Sequence, residues 1–171
     1  MAYFTVQTIR DLIFPPKPLI CQHRLWKNTL NELRKRGRGN RESGGFLLGK
    51  RQKNTRVVKK FIPYDSIDPN SLQGAILFDG SLMDLVWEEC RQQELEVIAD
   101  VHTHPGGFGQ SDIDQANPMI PERGHIAIII PNFANRLYLP GQIGVYEFQG
   151  RNGWIDHSSA GSRFFSVRRF G

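Results

Sequence analysis

Hydrophobic and polar positions along the chain follow two different spacings. Apolar residues recur every three or four positions across 24–36 and again across 81–93, which predicts two amphipathic helices, the first ended by Gly37. A third, short helix begins at Ser111. The segments with apolar runs or alternation that we interpret as β-strands are 19–21, 43–50, 55–62, 94–104, 125–130, 142–149, 153–157 and 162–168.

These elements predict an α/β fold in which helices flank a mixed β-sheet. The chain has 171 residues, which suits one compact domain. The stretch Pro15-Pro16-Lys17-Pro18 is stiff and non-helical, so we expect residues 1–18 to form an N-terminal arm and residues 19–171 a single domain. Residues 63–79 lack a regular pattern, and we expect them to be irregular.

Composition and cysteine usage narrow the class of protein. Hydrophobic residues make up 39% and charged residues 23%, which is typical of a globular domain. The longest apolar run, 126–130, is far too short to span a bilayer, and no signal peptide is visible. Cys21 and Cys90 fit no disulfide framework. We therefore expect a cytoplasmic protein without a membrane partner.

The chain carries a formal net charge of +5, concentrated in the clusters 34–38, 50–60 and 163–169. A basic patch can bind nucleic acid, but these clusters lack the interleaved aromatic residues of nucleic-acid-binding motifs. A solvated surface is the favoured interpretation, and nucleic acid is not the favoured partner. Nothing in the sequence favours one oligomeric state over another.

The strongest chemical signal lies at the end of the strand 94–104. His102 and His104 are two residues apart, so they share one face of a strand. Asp114 follows ten residues after the second histidine. Two imidazoles and one carboxylate are ligands that suit Zn²⁺, and three protein ligands leave a fourth position for a reacting water. We therefore predict one catalytic zinc ion held by His102, His104 and Asp114.

Two further residues complete the predicted catalytic set. Glu42 would accept a proton from the attacking water and pass one to the leaving amine. Ser111 would donate a hydrogen bond to the developing oxyanion. Each has a plainer interpretation: Glu42 as a charge at a hairpin edge, and Ser111 with Asp114 as a helix capping box. The combined spacing favours the metal site.

These residues resemble the JAMM (MPN-plus) metalloprotease family. Its pattern of an upstream glutamate, His-x-His-Pro and Ser-x-x-Asp stands here as Glu42, residues 102–105 and residues 111–114. The upstream segment 42–49, Glu-Ser-Gly-Gly-Phe-Leu-Leu-Gly, is also similar to the family's first core strand. The resemblance covers roughly residues 19–150. The gap between the second histidine and the serine is six residues, where the family usually has seven.

The resemblance implies a cytidine-deaminase-like JAB/MPN fold and a zinc isopeptidase or peptidase. Such an enzyme would cleave after the C-terminal glycine of a ubiquitin-like protein, in deconjugation or maturation. The small size is similar to the prokaryotic branch, whose members are often encoded beside ubiquitin-like conjugation machinery, some of it in antiphage defence. Residues 63–79 fall where relatives carry a substrate-contacting insertion. This segment contains the acids Asp65, Asp68 and Asp79. They would either contact a basic tail of the substrate near its diglycine or serve turn formation.

Two other functions remain open at this point. The first is a zinc hydrolase that removes a small adduct from the C-terminus of a sulfur-carrier protein, which needs the same metal chemistry. The second is a non-catalytic, nucleic-acid-binding scaffold. Inactive relatives usually lack a ligand or the glutamate, and this chain keeps both, which argues against a scaffold.

Overall fold

A computed structural model describes residues 18–73 and 75–169, so the predicted N-terminal arm falls outside the described residues except for Pro18. The helices are α1 (His23–Gly37), α2 (Met83–Gln93) and α3 (Asp112–Ala116). The strands are β1 (Leu19–Gln22), β2 (Gly44–Gln52), β3 (Thr55–Pro63), β4 (Leu72–Gln73), β5 (Ala75–Ile76), β6 (Glu96–Thr103), β7 (Ile126–Ile130), β8 (Gly144–Phe148), β9 (Trp154–Asp156) and β10 (Phe165–Arg168).

Eight strands form one mixed sheet in the order β10-β1-β3-β2-β6-β7-β8-β9. Strand β1 runs parallel to both β10 and β3, and β6 runs parallel to β7. The other neighbours are antiparallel, including the predicted hairpin of β2 and β3. The predicted mixed α/β architecture is confirmed.

A hydrophobic core lies on each face of the sheet because side chains alternate along β2. Leu47 packs into the larger core beneath α1. Its neighbours Phe46 and Leu48 pack into the smaller core beneath α2. Cys90 lies in that second core, as expected for an apolar helix face, and both Cys21 and Cys90 are free thiols. The two cores hold the central strands from both sides.

Helix α1 ends at Gly37, as predicted. The residue with left-handed backbone geometry is Arg38 (φ 52°), which follows Gly37. Gly37 packs closely on Ser43, since a Cβ there would lie 3.3 Å from the Ser43 Oγ. The glycine therefore provides space for the chain that enters β2.

The segment 63–79 is more ordered than predicted, because β4 and β5 form a small antiparallel hairpin within it. Two-residue strands are too short to show periodicity, which is why the pattern missed them. The acids of this segment make local contacts. Asp68 accepts hydrogen bonds from the backbone N–H groups of Asn70 and Asp79, Asp79 accepts one from Ser81 N–H, and Asp65 pairs with Arg36. Asp68 and Asp79 therefore serve turn formation in the structure, whereas Asp65 forms an ion pair.

Within residues 18–73 and 75–169, no helix has both the length and the apolar character needed to cross a membrane.

Candidate active site

Strand β6 brings the two predicted histidine ligands together at its C-terminal end. The strand is paired on both sides, with Gly44 of β2 and Ile129 of β7 opposite His102. His102 and His104 lie on the same face, and their Nε2 atoms are 3.0 Å apart. The backbone around them is therefore fixed by hydrogen bonds from two neighbouring strands.

The predicted carboxylate ligand arrives from a different element. Helix α3 places the Asp114 Oδ1 atom 3.3 Å from His102 Nε2 and the Oδ2 atom 3.2 Å from His104 Nε2. Ser111 is the N-cap of this helix, and the two residues form a complete capping box: the Asp114 side chain accepts from Ser111 N–H, and the Ser111 Oγ accepts from Asp114 N–H. The capping box thus orients the carboxylate toward the histidines.

The three donor groups form a triangle, because one ligand atom from each residue lies within 4.8 Å of the other two. The imidazole Nε2 atoms are 3.0 Å apart, and Asp114 presents a different oxygen to each of them, Oδ2 to His104 at 3.2 Å and Oδ1 to His102 at 3.3 Å. Ligand atoms about 2.0–2.1 Å from a tetrahedral zinc ion are roughly 3.3 Å apart, so groups this close can share one ion. Among the described residues, His102, His104 and Asp114 form the group of acidic and histidine side chains that could hold a metal ion. Their number, type and spacing fit a zinc site with an open position.

Glu42 lies in the same groove as the three candidate ligands. The residue after it is joined to β6: Ser43 N–H donates to the Thr103 Oγ1 at 2.9 Å, and Thr103 N–H donates to the Ser43 carbonyl at 2.9 Å. Thr103 stands between the two histidines in sequence and points away from them. The histidines and the segment that carries Glu42 are therefore held by the same strand.

The two glycines that follow Ser43 allow this close approach. A Cβ on Gly44 would lie 2.4 Å from the Tyr64 ring, and one on Gly45 would lie 2.3 Å from the Ile62 carbonyl oxygen. Neither distance is sterically possible, so larger residues would push β2 away from its neighbours. The Gly-Gly pair therefore allows close packing beside the site. The pairing register of β2 shifts farther along the strand, between Leu48 and Gly49 against β3 and between Leu47 and Leu48 against β6.

The electrostatics of the site favour charge on its ligands. Burial alone would lower the pKa of His102, but contacts with Asp100 and Asp114 raise it to about 9. Burial would raise the pKa of Asp114, but the two imidazoles and Ser111 hold it far below its usual value. Burial raises the pKa of Glu42, and the imidazoles oppose that rise only in part.

Sequence reasoning missed a buried carboxylate next to the site. Asp100 is 2% exposed. Its Oδ1 atom is 2.6 Å from the Nε2 of His125, and its Oδ2 atom accepts a hydrogen bond from the Tyr64 hydroxyl at 3.3 Å. Asp100 stands two residues before His102, so it shares the histidine face of β6, and that spacing was the available signal. His125 is also buried and lies against Asp100.

The Ser111 hydroxyl is engaged with the candidate ligand. It donates to the Asp114 Oδ2 at 2.7 Å, in addition to capping α3. The structure therefore places Ser111 next to the triangle and shows the predicted capping box. Donation to an oxyanion would need the hydroxyl to turn away from Asp114.

The site opens into a groove of about 890 Å³. Its lining includes two of the most exposed large apolar side chains, Leu77 (73% exposed) and Ile113 (66% exposed). A separate cavity of about 490 Å³ lies near Trp87 and Cys90 and contains none of the candidate ligands. The larger groove is therefore where a substrate could reach the triangle.

Comparisons with known proteins agree with this geometry. A probable metalloprotease, y4jG, from Sinorhizobium fredii is 27% identical over 66 residues, which are 39% of this chain and 41% of that protein. The alignment therefore spans less than half of the relative. The solution structure of protein DSY2949 from Desulfitobacterium hafniense has the same fold, with a TM-score of 0.62, 16% identity, and coverage of 81% of this chain and 88% of that one. Residues 27–138 match the prokaryotic homologs of the JAB domain, and the chain belongs to that family.

Proposed function

We propose that this protein is a zinc-dependent isopeptidase or peptidase that cleaves after the C-terminal glycine of a ubiquitin-like protein. One observation carries the proposal: the triangle of His102, His104 and Asp114 lies in the same groove as the Glu42 carboxylate. The JAB-domain match and the distant similarity to a probable metalloprotease support metal-dependent hydrolysis.

The residues of the chain divide the chemistry among them. Zinc, when bound, is a Lewis acid that lowers the pKa of water toward ~7 and so supplies a nucleophile at neutral pH. Glu42 lies outside the ligand triangle and accepts a proton from the attacking water, then delivers one to the leaving amine. Because burial raises the pKa of Glu42, its carboxylate holds a proton more readily than an exposed glutamate. That property suits a group that both takes and returns a proton.

Ser111 acts mainly through Asp114 in this proposal. Its hydroxyl and backbone N–H both contact the Asp114 side chain, which fixes the carboxylate before the metal binds. A hydroxyl that turns from Asp114 toward the substrate carbonyl would serve as the oxyanion donor. Both roles require the serine hydroxyl. If it orients Asp114, its loss weakens zinc binding; if it serves only as the oxyanion donor, its loss weakens turnover alone.

The groove supports a substrate with an extended C-terminal tail. Its volume of about 890 Å³ lies near the upper end of the range for small-molecule sites, which leaves room for a few residues of an extended tail. Glycines beside the scissile bond would pass the crowded triangle because they carry no side chain. The exposed Leu77 and Ile113 would contact apolar residues farther from the bond, since exposed apolar side chains at a groove commonly mark a binding surface. The β4–β5 hairpin lies just before Leu77 and offers an edge for an added strand.

We place this activity in the cytoplasm of a prokaryote, within a ubiquitin-like conjugation pathway such as those of antiphage defence. The match to prokaryotic homologs of the JAB domain supports the prokaryotic part of this proposal.

The test is a cleavage assay on zinc-loaded protein. Ubiquitin-like proteins, including any encoded beside this gene, would carry a C-terminal fusion partner or an isopeptide-linked lysine. We expect cleavage after the terminal glycine that stops on addition of a chelator and is absent in Glu42→Gln, as read by mass spectrometry. Release of a single amino acid from a sulfur-carrier protein, with no cleavage of the larger fusions, would contradict the proposed substrate and favour the small-adduct hydrolase.

A further inference from the structure

We infer that Asp100 is a positioning residue for the metal site, which sets the orientation of His102 through a buried network anchored by His125. The inference rests on the proposed function, because it concerns how the chain prepares to bind zinc. Asp100 lies outside the ligand triangle, at the buried base of the groove.

Geometry places Asp100 behind His102. The Asp100 Oδ2 atom lies 3.8 Å from His102 Nδ1, while the other ring nitrogen, Nε2, faces Asp114 at 3.3 Å. At 3.8 Å the first contact is an ion-pair contact and is longer than a hydrogen bond. The contact nevertheless favours one orientation of the His102 ring, with Nδ1 toward Asp100 and Nε2 toward Asp114. A ring turned by 180° would place carbon atoms at both positions and lose both contacts. The Nε2 lone pair is thereby left pointing into the triangle.

Asp100 is itself held from two other directions. His125, just before β7, contacts the Oδ1 atom at 2.6 Å, and Tyr64, just after β3, donates to the Oδ2 atom at 3.3 Å. Asp100, His125 and Tyr64 are all buried, so these contacts are largely shielded from solvent. A charged group at this depth is stable only when its neighbours compensate it, and both histidines do so. The carboxylate is thus a fixed reference point for the His102 ring.

The metal ligands are supported unequally as a result. Within the described residues, His102 has a buried carboxylate on the side away from the triangle, and Asp114 has the capping serine. Outer partners of this kind fix ligand orientation in metal sites, and their loss typically weakens metal binding ~10–100-fold. In the described part of the chain, Asp100 is the residue placed to perform this task for His102.

The experiment measures zinc affinity of the folded, metal-free protein by competition with a chromophoric chelator. We expect Asp100→Ala to weaken binding by ~10–100-fold, and Asp100→Asn, which keeps the size and an acceptor oxygen, to recover part of that loss. Tyr64→Phe removes one hydrogen bond to Asp100 but keeps both of its histidine contacts, so zinc affinity should fall by less than in Asp100→Ala. Ile128→Ala, in the core on the other face, is the control for destabilisation alone.

Each outcome decides between two explanations. A weakened affinity in the Asp100 variants, with Ile128→Ala unchanged and far-UV circular dichroism native, supports the positioning role. Asp100→Ala with wild-type zinc affinity would overturn it. If Asp100→Ala does not fold, Asp100→Asn decides, and an affinity equal to wild type would overturn the inference. A wild-type protein that binds no zinc would instead contradict the proposed function.

Discussion

The two sides of the candidate metal site are built from unlike elements. His102 lies in β6, a central strand paired with β2 and β7, and His104 directly follows the strand. Asp114 comes from α3, a helix of five residues whose neighbouring positions 111–113 are exposed. A helix that short has little stability of its own in water. The histidine side is therefore fixed by the sheet, and the aspartate side by one capping box.

A site built in this way can be rigid on the sheet side and open on the helix side. The sheet holds the two imidazoles and, through Ser43 and Thr103, the segment that carries Glu42. The exposed helix closes the triangle from the groove side, where a substrate must enter. Substitutions on each side should consequently affect different properties.

The largest effect should come from Glu42→Gln. Glutamine keeps the shape but cannot accept a proton, so we expect kcat to fall by ~10²–10⁴. Zinc content should stay at the wild-type level, because Glu42 lies outside the ligand triangle. Turnover and metal analysis on the same preparation check this, and unaltered turnover would remove Glu42 from the mechanism.

Thr103→Val tests the sheet side of the comparison. Valine has a similar shape but removes the hydroxyl, which leaves the buried Ser43 N–H without its acceptor. We expect a loss of ~1–3 kcal/mol in the free energy of unfolding. Urea denaturation of the metal-free protein measures it. A free energy equal to wild type would show that the contact between these segments carries no net stability.

Ser111→Ala tests the helix side. Loss of an N-cap side chain costs ~1 kcal/mol of helix stability, and here the same side chain orients Asp114. We expect zinc affinity to fall by roughly fivefold, with the stability of the metal-free sheet almost unchanged. Chelator competition gives the affinity. Weakened turnover with normal zinc affinity would instead support a role for Ser111 at the oxyanion alone.

The mildest test varies pH. His102 must be neutral to bind zinc, yet its pKa in the metal-free protein is raised from 6.5 to about 9. Below pH 9, zinc must therefore displace a proton from His102. The zinc affinity should rise by up to ~10-fold for each unit of increasing pH and level off near pH 9. The folded protein binds this proton more tightly than the unfolded chain. Its contribution to metal-free stability is thus complete below pH 6.5 and lost as pH rises through about 9.

Melting temperatures with and without zinc between pH 6.5 and 9 measure both trends. The stabilisation by zinc should grow with pH across this range. A constant difference would contradict the raised pKa of His102.

The sequence predicted the features that depend on local spacing. The alternation on β6 placed the two histidines on one face, and the serine three residues before Asp114 predicted the capping box. Features that depend on tertiary packing were missed. Asp100 gains its role only when Tyr64 and His125 arrive from other elements, and the β4–β5 hairpin is too short for any pattern. Gly37 ends α1 as predicted, but its close packing on Ser43 depends on the tertiary fold and was not visible in the sequence.

The most direct measurement of the central claim is the zinc content of the protein after loading and dialysis. Wild-type protein, His102→Ala and Asp114→Ala would be measured side by side, with circular dichroism to show that each is folded. We expect about one zinc ion per wild-type chain and almost none in either variant. Folded variants that retain as much zinc as the wild type would contradict a metal site formed by this triangle.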